Sequence, residues 1–195
     1  MSQQPHIVGI AGSLRDRSYT RLAVERALRE ADRRGATTEL LDLREYDLPV
    51  YDADADEPGD ADRLTAAVQR ADSVILGTPS YHGSYSSVLK NALDYCGFDE
   101  FEDTTVGLLC VAGGAFPTTP LEHLRSVCRA LNAWVVPHQV GLPSVSGKFQ
   151  GEELVDEGLA ERVDVLGRRV VEYANIEPDP RCAEALENKG AGADD

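Results

Sequence analysis

The chain has 195 residues, 42% of them hydrophobic, enough for one ordinary domain with a sizeable core. Its 34 acidic against 19 basic residues leave a formal net charge of −15, and a body that acidic repels phosphate backbones, which sets aside nucleic acid and anionic membranes as partners. No run of about 20 apolar residues is present to cross a membrane, and Met1–His6 lacks the basic and apolar regions of a secretory leader, so the expected location is cytoplasmic.

Five short apolar runs alternate with helical periods. The runs are His6–Ala11, Thr38–Leu43, Ser73–Thr78, Val106–Ala112 and Trp134–Val140; bounded by Gly and Pro, they read as strands buried on both faces. Between and after them, helices are expected over Ser18–Arg34, Ala61–Ala71, Ser86–Tyr95, Pro120–Leu131 and Glu152–Tyr173. Gly35 marks a stop for the first, and Thr119-Pro120-Leu121-Glu122 reads as a capping box with proline at the first helical position. Strand and helix in alternation predict a parallel sheet with helices on both faces, and ligands beyond the carboxyl ends of its strands. The domain is expected over residues 1–176, followed by an acidic tail over 177–195; residues 52–62 form an acidic connection whose spacing departs from a calcium loop at Glu57 and Arg63.

Three strand-to-helix loops carry the candidate chemistry. Gly12–Thr20 joins hydroxyls and arginines to a helix start, which makes an anion site. It has neither the GK[ST] of a Walker loop nor the dinucleotide glycine spacing, and no nucleophilic cysteine or acidic cluster. Hydroxyl donors with an arginine suit a phosphate monoester that is bound and not cleaved; the alternative is a helix cap at Ser18 among solvated arginines. Thr78–Ser86 holds proline, glycine and two tyrosines, a stiff turn suited either to lie against a flat heterocycle or simply to pack. In Ala112–Pro117, Gly113 and Gly114 permit close backbone approach to a ligand, or merely a tight turn. Cys96, Cys110, Cys128 and Cys182 match no metal spacing, no metal site is expected, and no GxSxG elbow or catalytic triad is present. An enzyme built this way takes its chemistry from a cofactor, with no catalytic side chain.

The motifs GSLRDRSYTRLA at Gly12–Ala23 and TPSYHGSYSSVLKNALDY at Thr78–Tyr95, with the AGG turn at Ala112–Gly114, resemble the NADPH-dependent FMN reductase family over about Ile7 to Leu142. The resemblance implies a flavodoxin-like, doubly wound α/β fold with a five-stranded parallel sheet in the order 2-1-3-4-5 and helices on both faces. It implies that Ser13, Arg15, Ser18 and Thr20 hold the FMN phosphate. It places Pro79, Ser80, Tyr81, His82, Gly83 and Ser84 along the isoalloxazine, with Gly113 and Gly114 on another edge. Thr20 stands where many members have Asn, and Ser80 where many have Glu, which removes a negative charge near the flavin. The implied reaction passes a hydride from NADPH or NADH to FMN and then electrons to a small-molecule acceptor: a quinone, azo compound, metal oxyanion or free flavin. The alternative is an electron carrier that does not oxidise NAD(P)H directly. The family also implies a homodimer or homotetramer, with Ser86–Tyr95 at a contact. The arginine-rich, evenly spread acidity suggests a halophilic source.

Overall fold

The computed structural model describes residues 4–54, 59–174 and 176. Strands β1 (His6–Ala11), β2 (Thr37–Asp42), β3 (Ser73–Pro79), β4 (Thr105–Val111) and β5 (Trp134–Val135) pair in parallel in the order β2-β1-β3-β4-β5, the expected order. Strands β3 and β4 are buried at every position, the consequence of helices covering both faces. Helices α1 (Tyr19–Arg33) and α6 (Glu157–Glu172) pack on one face, over Ile7, Ile75 and Leu109. Helices α2 (Ala61–Gln69), α3 (Ser87–Asp94) and α5 (Thr118–Ala130), with the short α4 (Phe98–Phe101), cover the other, over Val8, Leu76 and Leu108. Neighbouring strand residues thus serve opposite cores, as a period of two requires.

Close approach shapes the α1 face. A Cβ on Gly77 would stand 2.3 Å from Val24 Cγ2, and one on Gly167 would stand 2.3 Å from the Ala27 carbonyl oxygen. Bare glycines therefore let α1 settle on the sheet and α6 settle on α1. At its far end α1 stops as expected. Gly35, at φ +90°, donates to the Asp32 carbonyl, and Ala36 donates to that of Ala31, the paired bonds of a glycine-terminated helix.

Four expectations are corrected. The fifth run does not form one strand over Trp134–Val140: β5 stops at Val135, Pro137 follows, and the chain returns to β4 as β6 (Val140–Leu142). The sheet therefore has six strands. Helix α5 starts at Thr118, before the expected capping box, with Pro117 at the cap and no side-chain cap bond. Pro120 still falls within the first turn, where its missing N–H leaves no gap. The last helix begins at Glu157, not Glu152; before it β7 (Phe149–Gln150) and β8 (Glu153–Leu154) form an antiparallel hairpin, and Asp156 caps α6 by accepting from the Leu159 N–H. Part of the acidic connection (55–58), the tail at 177–195 and Cys182 lie outside the described residues. Among the described residues no helix is long and apolar enough to cross a membrane.

Candidate functional site at the carboxyl edge

The chain leaves β1 for one face of the sheet through α1 and reaches β3 from the other face through α2. The carboxyl ends of β1 and β3 therefore diverge, and a crevice opens between their loops. The first loop is clamped beneath it. Gly12 donates to the Gly77 carbonyl at 2.9 Å and its own carbonyl accepts from Ser86 Oγ at 2.6 Å. Ser86 Oγ also caps α3 by accepting from the Leu89 N–H, and the Ser86 N–H donates to Thr78 Oγ1. A Cβ on Gly12 would meet Leu89 Cβ at 2.6 Å, so α3 presses the loop into place.

On this base lies a cleft of about 260 Å³ lined by Ser13, Arg15, Ser18, Thr20, Pro79, Ser80, Tyr81 and Gly113. Eight expected residues from three loops meet there. Ser13, Ser18 and Thr20 are each at most 3% exposed, so their hydroxyls are held by packing. Ser18 Oγ accepts from the Arg21 N–H and caps α1, leaving the amides of the first two helical positions, Tyr19 and Thr20, without an intrahelical partner. Arg15 and Arg17 are exposed at the rim. Hydroxyls, open amides and cations around one opening form a cradle for a phosphate ester.

His82, Gly83, Ser84 and Gly114 do not line this cleft; they follow its lining residues directly in the chain. Tyr81 and Ser84 exchange both backbone bonds at 3.0 Å, while His82 (φ +50°) and Gly83 (φ +78°) turn the corner with positive φ. Such a turn leaves its two central amides pointing outward. Ser84 Oγ bonds His123 Nδ1 of α5 at 3.0 Å, which ties the turn to a neighbouring helix. A Cβ on Gly113 or Gly114 would meet nothing within 4 Å, so both present open backbone at the edge of β4.

Arg17, which sequence reading offered beside Arg15 for a cofactor phosphate, also lines the cleft, whereas Tyr19, Val111, Val145 and Ser146 were missed. The last two come from the loop after β6, which folds back on the third loop: Val145 N–H donates to the Ala112 carbonyl and Ser144 N–H to the Gly114 carbonyl. Had the fifth run been carried on to Leu142, the rule that ligands sit at carboxyl ends would have included this loop. Among the described residues no nucleophilic thiol lines the cleft. Cys96, Cys110 and Cys128 are buried, and burial pushes each thiol up to about 12.

The model of the NADPH-dependent FMN reductase family matches residues 5–147. An FMN-dependent NADPH-azoreductase of Staphylococcus aureus is 36% identical over 137 residues, which cover 67% of this chain and 73% of that protein. Among solved structures, the flavoenzyme NAD(P)H:(acceptor) oxidoreductase FerB from Paracoccus denitrificans superposes with a TM-score of 0.74 at 20% identity, over 87% of this chain and 97% of that one. An apo NADH:FMN oxidoreductase superposes with a TM-score of 0.69 at 21% identity, over 91% and 93%; both show the shared fold.

Proposed function

The chain belongs to the NADPH-dependent FMN reductase family and is an FMN-dependent NAD(P)H oxidoreductase, and we propose that it holds FMN in the carboxyl-edge cleft and serves planar aromatic acceptors. The carrying observation is the cleft itself: three covered hydroxyls, the open amides at the start of α1 and rim arginines, gathered in a chain of net charge −15. These groups fit a phosphate monoester. Ser13, Ser18 and Thr20 donate hydroxyl hydrogen bonds to it, and Arg15 adds a charge-assisted one. Pro79, Ser80 and Tyr81 would line one side of the ring and Gly113 another edge, with the turn residues His82–Ser84 and Gly114 just beyond the cleft. Bound FMN supplies the redox chemistry, accepting a hydride from NAD(P)H and passing electrons to the second substrate. The protein binds and orients, and no side chain need move a proton.

The acceptor preference rests on exposed apolar side chains of the three loops. Leu14 is 58% exposed, Tyr81 47% and Phe116 83%, one from each loop, and Tyr81 lines the cleft. Large apolar groups held in water on cleft-forming loops favour a ligand surface, here one suited to quinone or azo rings more than to a metal oxyanion. FMN-loaded protein should stay yellow through gel filtration and bleach with NADPH without air. Phe116→Ser should then raise KM for a quinone about fivefold, near 1 kcal/mol, and leave KM for chromate unchanged. Folded protein that retains no colour would remove the FMN reading, and equal shifts for both acceptors would remove the aromatic preference.

A homodimer through α3 is the proposed assembly. Grooves flank this helix on both sides, one lined by Tyr85, Leu93 and Val127 and the other by Val50 and Val88, and Val50 stands 87% exposed. Light scattering reads the mass, and Val50→Asp should shift it to the monomer. The acidity further points to a halophilic source, for which solubility should rise with added potassium chloride.

A further inference from the structure

A second groove lies on the other flank of the first loop. It measures about 430 Å³, is lined by Arg17, Ser18, Tyr19, Arg21, Phe149 and Glu152 among others, and shares Arg17, Ser18 and Tyr19 with the cofactor cleft. Its wall is the hairpin β7–β8, whose Phe149 stacks on Tyr19 with ring centroids 4.5 Å apart. Arg21 holds its most unusual atom: among the described residues, Arg21 Nε is the one buried side-chain nitrogen or oxygen without a hydrogen-bond partner.

Arg26, five residues further along α1, shows what that atom lacks. Arg26 grips Asp164 with its Nε at 2.8 Å and its Nη2 at 2.7 Å, the two-toothed edge that guanidinium offers to an oxyanion. Arg21 spends only Nη1, on Glu25. At ion-pair distance its Nε–Nη2 edge meets one anion among the described residues, Glu152 at 3.8 Å from Nη2, on a side chain that is 81% exposed; the Asp42 carboxylate, held by Arg44, feels the Arg21 charge from further off. A carboxylate so loosely held swings into solvent at little cost. The other acid on the groove, Asp16, is exposed, and its backbone carbonyl accepts from Arg44. Arg21 Nε is thus covered and unpaired, and Nη2 faces only the loosely held Glu152, beside the exposed cation of Arg17 and an aromatic wall.

We propose that this groove receives the 2′-phosphorylated adenosine end of NADPH, the phosphate on the Nε–Nη2 edge of Arg21 and beside Arg17, the adenine against Tyr19. The proposal rests on the chain being an NAD(P)H oxidoreductase, and it assigns the discrimination of NADPH from NADH chiefly to Arg21 and Glu152, which lie outside the flavin cleft. Glu152 then acts as the competing anion, displaced when the phosphate arrives.

The test uses FMN-loaded full-length protein and two variants of opposite sign. Arg21→Gln should raise KM for NADPH about tenfold, and Glu152→Gln should lower it about threefold, with KM for NADH within about twofold of wild type in both. Calorimetry gives a readout without turnover. Wild type should bind adenosine 2′-monophosphate about tenfold more tightly than adenosine, a ratio lost in Arg21→Gln and enlarged in Glu152→Gln. Retained FMN and unchanged NADH turnover certify that each variant is folded. Equal shifts for the two nucleotides, loss of FMN in Arg21→Gln, or weaker NADPH use in Glu152→Gln would each overturn the proposal. Wild type that oxidises neither nucleotide would instead overturn the oxidoreductase reading, and the adenosine 2′-monophosphate titration would still decide the groove.

Discussion

The two ends of α1 use arginine in opposite ways. Along its second half, Arg26 is locked to Asp164, and Glu30 gathers Arg33, Arg34 and Arg168 around one carboxylate that is 4% exposed. At its start and in the loop before it, Arg15 and Arg17 stand at the rim of a cleft, and Arg21 leaves Nε unpaired and meets only the exposed Glu152 at Nη2. The same residue type is structural where a buried acid meets it and ready for a ligand where none does. Composition alone does not make this distinction, because the whole chain is rich in acids.

The comparison breaks most severely at Gly167, where the paired end is built. Its missing Cβ lets α6 approach the Ala27 carbonyl, and the approach brings Asp164 and Arg168 to α1. Gly167→Val should cost about 3 kcal/mol of stability, read as a lower urea midpoint, because neither backbone can yield.

Glu30 sharpens it next. Burial acts to raise its pKa, and the bonds from Arg34 and Arg168 with the charge of Arg33 outweigh burial, so its carboxyl titrates below the ordinary 4.5. A folded-state pKa held below the unfolded one stabilises the fold above the ordinary value, and that contribution disappears as pH falls through the folded one. Glu30→Gln should therefore lose about 2 kcal/mol at pH 7. The gap from wild type should close below pH 4.5, while FMN affinity stays unchanged.

The sequence made much of this architecture legible. Parallel strands covered on both faces, such as Ser73–Pro79 and Thr105–Val111, are buried throughout and mostly apolar, and stand out from the amphipathic helices between them. What escaped has a common cause. The hairpin at 149–154 has two residues per strand, too few for any period to register, and Glu152–Tyr173 therefore read as one helix. Pro137 divided a run whose apolar character continued past it. The hydroxyls at 13, 18 and 20 were readable because a loop, a cap and a helix start coincide there. Val145 and Ser146 were not, since only long-range bonds from Ala112 and Gly114 bring their loop to the cleft. The pairing state of each arginine was equally hidden, because Asp164 and Arg168 lie more than a hundred residues from the helix they lock.

Arg15 gives the smallest effect and the most direct test of the contrast. It lines the cleft, is exposed, and neighbours two covered hydroxyl sites rather than a buried acid. Replacing it leaves no carboxylate stranded, so Arg15→Ala should leave the urea midpoint of FMN-free protein unchanged. The expected loss is in affinity for FMN, about tenfold or 1.4 kcal/mol for one charge-assisted bond at a solvent-exposed rim. An exposed ion contact is screened by salt, so wild-type affinity should fall as sodium chloride rises, and that of Arg15→Ala should fall less. The covered hydroxyls of Ser13 and Thr20 would carry the part of the affinity that salt does not touch. Should Arg15→Ala destabilise the FMN-free fold as Glu30→Gln does, arginine in the loop leading into α1 would be structural after all, and the contrast between the locked half of the helix and the binding end before it would fail at its first arginine.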